Sequence, residues 1–355
     1  MGIDPYGFGT LGSTGRPFQS GPLPMSRSLL DDERYKLQFA GHETFPLRYG
    51  WLNKAYDQIS HVLSAGNGDT NAVFLDENSI SLFGVGKNMV VSMRHWALAA
   101  KVIEIADAED GTRQARLTPS GFGKLLLEEC DPYLEHPASL WLIHWHLASR
   151  PGRATTWYWA FNELNEPSID RELLSARLAR RIASLRESGR MRESRITETT
   201  IRRDVECFVR TYLARPISGR AVQEDNLESP LSELALLQPL GVGSAFRFRR
   251  GPKPTLPDEV FLYGLLAFWQ QLYPTRREFS VEAVAHEPGS PGRVFLLDEE
   301  SVADRLASIA DLTRGAIRWD ESTGMRQVYA HDLNAINPLE LLRGLYQRTL
   351  TARAA

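Results

Sequence analysis

Between Glu77 and Glu129 the apolar pattern changes its period, and that change limits the folds open to this chain. ENSISLFGVG (77–86) is a short segment ending in a Gly84-Val85-Gly86 turn that suits a helix-turn-helix corner. From Lys87 to about Ala100 the pattern is helical, with Met89, Met93, Trp96 and Ala100 on one face. Val102-Ile103-Glu104-Ile105 then reads as a strand, Asp110-Gly111 turns the chain, and Gln114 to Leu117 reads as a second strand. Thr118 is placed to cap the next helix, with Pro119 at the first position, where its missing N–H costs nothing. Short helix, tight turn, longer helix, hairpin and closing helix follow one another in the order of a winged helix-turn-helix.

The flanks are mainly helical. FAGHETFPLRYGW (39–51) leads into a helix expected over 46–63, capped by Thr44, with Leu47, Trp51, Ala55, Ile59 and Val62 at helical spacing. The aromatic stretch 136–165 predicts buried helices. Residues 168–187 predict another, with Leu173, Leu174, Leu178, Ile182 and Leu185 on its apolar side. Thr197 opens a helix to about Leu213. Glu224 to Pro257 is irregular, Phe261 to Tyr273 is an apolar helix, and 290–312 reads as loop, strand and amphipathic helix. A hairpin follows, Ala316–Trp319 with Gln327–Ala330, turning at Ser322–Gly324. The expected class is mainly α with small β-hairpins (α+β). Its parts are a tail or leader (1–34), a winged helix-turn-helix domain (35–135), a helical domain (136–222) and a mixed C-terminal domain of winged-helix-like order (223–355).

Of 355 residues, 43% are hydrophobic and the net charge is −3, so no global positive field points to nucleic acid. Binding of that kind has to come from local patches. Cys130 and Cys207 have no CxxC partner, which excludes a cysteine-rich zinc site and suits a reducing cytoplasm. No apolar run reaches the roughly 18 residues of a membrane span. Residues 1–24 lack the basic head and apolar middle of a secretory signal, and Met25 fits a natural start. Gly7, Gly9 and Gly12 spell GxGxxG without a strand before or a helix after, so they carry no dinucleotide signal.

Three basic elements stand out. On the Lys87–Ala100 helix, Asn88, Ser92 and His95 share a face flanked by Lys87 and Arg94, a set able to reach base edges and phosphates. The same pattern would suit a solvated helix face. In TTIRRDVECFVRTY, Arg202 and Arg203 sit at a helix start where the macrodipole disfavours cations, which leaves phosphate contact or an Arg202–Glu206 ion pair as readings. In RFRRGPKP, Arg247, Arg249 and Arg250 interleave with aromatics, as in a nucleic-acid groove or a charge-protected edge strand. Between Asp170 and Arg220 thirteen Arg face seven Asp or Glu, a surplus of six.

Catalytic motifs fail on inspection. His144 and His146 are not at the i, i+4 spacing of a helical metal pair, His42-Glu43 is not HExxH because Pro46 stands in the last place, and Gly86-Lys87 does not belong to a phosphate-binding loop. No metal or cofactor is expected and the protein reads as a non-enzyme. His42, Glu43 and Arg48 remain as functional candidates, with a buried latch the favoured reading for His42.

FAGHETFPLRYGWLNKA, FGVGKNMVVSMRHWALAAKVIE and TTIRRDVECFVRTY together resemble a bacterial family of unknown function, over about Phe39 to Arg348. That family is associated with genes of DNA phosphorothioation and anti-phage defence, beside phosphoadenosine-phosphosulfate-reductase-like proteins and cysteine desulfurases. The resemblance implies a component of such a machine, with sulfur-transfer or ATPase subunits as partners. It supplies no catalytic residues. The expected function is a DNA-binding subunit. Alternatives are a protein adaptor, a repressor of its own operon, and an enzyme centred on His42 and Glu43.

Overall fold

The computed structural model describes residues 28–66, 69–106, 116–191, 196–213, 229–241, 244–321 and 324–354. Residues 1–24, Met25, the GxGxxG glycines, the Asp110-Gly111 turn and Ser322 lie outside them. The first element among the described residues is a 3-10 turn, Leu29–Asp31, whose Leu29 and Leu30 are buried, so this part of the expected tail belongs to the core.

Helix α1 spans Trp51–Ser64 rather than 46–63. Thr44 does not cap it, because the helix starts seven residues later, and its own φ of 71° is left-handed. Gly50, at φ 74°, takes the cap position. Two short helices follow, α2 (Ala72–Leu75) and α3 (Ser79–Phe83), and Gly84 closes α3 at φ 66°. Helix α4 runs Lys87–Ala99, as its spacing predicts. Strand β1 (Ile103–Ala106) pairs antiparallel with β2 (Arg116–Pro119). Thr118 and Pro119 lie inside β2. Ser120 is the cap instead, its Oγ accepting the Gly123 N–H at 2.8 Å. The closing helix is one α turn, α5 (Gly121–Gly123), continued by a π-helical stretch, Lys124–Cys130.

The middle is built from α6 (Pro137–Ala148), α7 (Thr155–Asn162), α8 (Arg171–Glu187) and α9 (Glu198–Tyr212). Helices α6 and α7 are apolar all round, as helices surrounded by protein must be. Asp170 caps α8 and Thr197 caps α9, each accepting an amide three residues on. Leu173 is an exception to the expected apolar side of α8. It is 41% exposed, while Leu174, Leu178, Ile182 and Leu185 are buried. The stretch read as irregular holds a small hairpin, β3 (Leu237–Pro239) with β4 (Phe246–Phe248).

The C-terminal part begins with α10 (Asp258–Leu272). Strand β5 (Glu278–Ser280), α11 (Val281–His286), α12 (Pro291–Val294) and α13 (Glu299–Leu312) follow. The strand expected after residue 290 is the short α12, because Ser290 caps a turn that Pro291 starts. Strands β6 (Ile317–Asp320) and β7 (Gln327–Ala330) form the expected hairpin, and the sheet runs β5–β7–β6, antiparallel throughout. Helix α14 (Pro338–Ala354) packs on α10. The result is a mixed α+β fold, mainly helical, with small antiparallel sheets. One contiguous apolar cluster runs from Leu29 to Tyr346.

Candidate nucleic-acid interface

The opening motif is a latch. His42 and Asp204 are each 1% exposed, and Nε2 of the ring lies 2.7 Å from Asp204 Oδ1. The Ala40 amide and the Thr156 hydroxyl also donate to that carboxylate. Burial opposes a charge on the ring, but Cys207 and Asp204 favour one and leave its pKa raised above the ordinary value. The Thr44 amide lies 3.1 Å from Nδ1, so both ring nitrogens are engaged. His42 also stacks at 6.2 Å on Trp96 and meets Trp157 edge-on. An enzyme centred on His42 and Glu43 would need access that the ring lacks. Glu43 itself is exposed. Arg48 precedes α1 instead of lying on its polar side, and its guanidinium sits over the Phe45 and Trp51 rings at 5.6 and 5.5 Å.

The expected reading face of α4 is only half presented. Lys87 and Asn88 are exposed at its start. Ser92 and His95 are corrections: both are buried, because the second half of α4 is enclosed on all sides. Ser92 faces the Phe45 carbonyl, which also accepts the Trp96 indole N–H at 3.0 Å. Arg94 is half-buried, and burial pulls its pKa down. On α9, Arg202 pairs at 2.7 Å with Glu198, not with Glu206, which is held by Arg171. Both Arg202 and Glu198 are exposed, so the pair contributes at most about 1 kcal/mol. Arg203 is exposed, with no ion-pair partner among the described residues.

The third strip forms a concave site. Arg247, Arg249 and Arg250, with Arg293 from α12, line a cleft of about 1100 Å³ between the β3–β4 hairpin and the start of α13. Arg247 donates to the Gln238 side chain. Carboxylates face the cleft too, and each has one oxygen in a contact of its own. Glu166 holds Arg177, Asp298 caps α13, Glu299 holds His286 and Glu300 holds Arg326. Arg249 and Arg250 have no carboxylate partner among the described residues. Beneath them Lys253, 5% exposed, gives its ammonium to the carbonyls of Arg249, Gly251 and Leu296. Burial, then the neighbouring Arg249, pushes Lys253 down to about 8. Burial and Arg250 push Arg293 down to about 10. Cations crowd here and lower one another's pKa, and Asp298 and Glu163 offset this only in part, a condition that favours holding an anion. Lys87, Asn88, Arg202 and Arg203 do not line this cleft.

Sequence reasoning missed Arg293, because 290–297 read as loop and strand. It also missed Asp204, although a carboxylate beside the apolar stripe of Ile201, Val205 and Phe208 signals a buried partner.

No curated protein matches the chain significantly. Two solved structures do. One is a magnesium ion-bound SspB crystal structure, 30% identical, with a TM-score of 0.76, covering 90% of this chain and 91% of that one. The other is an SspB crystal structure, also 30% identical, with a TM-score of 0.74 and 90% coverage of each. Among the described residues no group of three or more His, Cys, Asp or Glu could hold a metal. Residues 39–346 match the model of DUF4007, a protein family of unknown function, and with relatives of this identity and coverage the chain belongs to that family.

Proposed function

We propose that this protein is a DNA-binding subunit of a phosphorothioation-linked modification or anti-phage defence machine, and that it grips backbone phosphates in the Arg247–Arg293 cleft. The observation that carries this reading is a set of arginines without carboxylate partners in a cleft whose acidic groups are already engaged. Arginine forks match phosphate oxygens two at a time. Two runs of elements support it. Helix α3, a turn, α4 and the β1–β2 hairpin follow winged helix-turn-helix order. So do α10, β5, α11, α13, β6 and β7, with strands ordered β5–β7–β6. Exposed Lys87 and Asn88, with Arg94 behind them, would reach DNA from the first unit, and Arg203 would add a phosphate contact. Asp304 and Asp311 of helix α13 are exposed and do not line the cleft, so we assign that face to a partner subunit such as the sulfur-transfer or ATPase component.

The test is anisotropy with a labelled duplex at low salt. Wild type binds, and Arg249→Glu with Arg250→Glu weakens binding about a hundredfold, since each bidentate phosphate contact contributes about 1–3 kcal/mol. Absent binding by wild type at low salt sinks the proposal.

A second reading is favoured by the magnesium ion in one similar protein. It gives this chain magnesium-dependent chemistry on phosphodiesters, whereas the first reading assigns none. Supercoiled plasmid incubated with protein and Mg²⁺ separates the two. Relaxation that chelator abolishes supports the second reading, and plasmid left intact removes it.

A further inference from the structure

His95 is the least satisfied buried polar group near the opening motif. Its side chain is 5% exposed and neither ring nitrogen has a hydrogen-bond partner. A buried imidazole normally spends both nitrogens, so this one is short of an acceptor for the N–H it must carry. Its surroundings are cationic. Burial, then His42 and Arg153, push its pKa well below the ordinary value. Arg153 is itself lowered by burial and by Arg94. Arg94 Nε is buried without a partner. No carboxylate acts on any of the three, and Arg94 and Arg153 take part in no ion pair among the described residues.

The place is built, not accidental. The Gln38 amide donates to the Gly152 carbonyl at 3.0 Å, which binds the chain before the motif to the turn that carries Arg153. Gly41 leaves room over the ring. A Cβ there would stand 2.4 Å from His95 Nδ1 and 2.4 Å from Gln38 Nε2. The two side-chain nitrogens therefore converge on the bare Cα of Gly41. Gln38, Gly41, Gly152, Arg94 and Arg153 are half-buried, whereas the His95 ring beside them is buried. Ala40, Glu43 and Thr44, at φ 57°, 46° and 71°, hold the loop in a conformation that non-glycine residues adopt only when neighbours enforce it.

We propose that Arg94, Arg153, His95 and Gln38 form a site for one tetrahedral oxyanion, a phosphate group, distinct from the cleft at Arg249 and Arg250. The two guanidinium groups supply charge and paired donors. His95 gives its one N–H from the floor, and the Gln38 amide adds another. The anion cancels repulsion that the unliganded cluster otherwise keeps. The phosphate belongs either to a nucleic-acid backbone or to a free ion, and the site does not depend on DNA binding at the cleft.

Calorimetric titration of inorganic phosphate into the full chain, at constant ionic strength balanced with chloride, reads the site directly. We expect one saturable event, weakened about tenfold by Arg153→Gln or by Arg94→Gln. Without phosphate, Arg153→Gln should melt no lower than wild type, because it removes a cation that crowds two others. A merely structural arginine would lower the melting temperature instead. No saturable heat, or equal affinity in both variants, overturns the site. Phosphate-31 spectra with added duplex then assign the source. Displacement of bound phosphate identifies a backbone contact, and phosphate that stays bound identifies a free ion. Phosphate binding with no duplex binding would end the DNA reading and leave this site standing.

Discussion

His42 joins segments 162 positions apart. It ties the loop before α1 to α9, and its ring packs against α4 through Trp96 and α7 through Trp157. Both members of the pair are buried, so removing one leaves a polar or charged group without its partner. His42→Ala or Asp204→Asn should lower unfolding free energy by about 3–5 kcal/mol, with the larger loss for the change that strands the carboxylate. Urea denaturation measures it, and a loss under about 1 kcal/mol for both would contradict the latch. The motif's role was foreseen in kind, because a histidine in an apolar run is more often bonded than reactive. Its partner was not, since nothing local to Phe39–Trp51 reveals Asp204. The left-handed Thr44 was equally illegible. A threonine before an apolar run reads as a cap, and only the His42 ring beneath its amide overrides that.

Elements with their own punctuation were legible. Helix α9 carries its cap at Thr197 and its stripe at Ile201, Val205, Phe208 and Tyr212, and it forms as read. The β6–β7 hairpin and α4 did the same. Elements whose partner is distant were not. Strand β4 is three residues long and exists because Phe246 pairs with Pro239 and bridges Ile169. The face of α4 was misjudged because amphipathic spacing names one buried side, while α7 and the loop before α1 cover a second. Helix α6 shows what enclosure does to a titratable group. His144 Nε2 donates to the Val294 carbonyl and Nδ1 accepts from the Tyr212 hydroxyl, both at 2.8 Å. Burial holds this ring near pKa 4 against the usual 6.5. As pH falls the unfolded chain takes up the proton first, so stability present above pH 6.5 drains away towards pH 4. From this group alone the fold should be about 2 kcal/mol weaker at pH 5 than at pH 7. His146 and His95, also pushed down by burial, add to the loss. In His144→Gln the drop between these pH values should shrink, and an unchanged drop would discount the histidine.

Across the whole molecule the net charge of −3 conceals a local asymmetry. Buried cations gather where the middle helices meet the C-terminal part. Arg150, Arg293 and Lys253 each donate to backbone carbonyls. Arg293 lines the cleft with Arg247, Arg249 and Arg250, and Lys253 lies beneath Arg249. This convergence could not be read from sequence, because Arg249 and Arg293 belong to separate segments that meet where the Gly251 amide donates to the Leu296 carbonyl at 3.0 Å. Sequence located the strip, and the fold made it concave.

The central claim is that DNA phosphates displace counterions at this cleft. Its most direct measurement is the slope of log binding constant against log salt for duplex DNA, compared between wild type and Arg249→Gln/Arg250→Gln. The account predicts a negative slope that becomes shallower by about two units in the double variant, one for each lost phosphate contact. Equal slopes for the two proteins would contradict it.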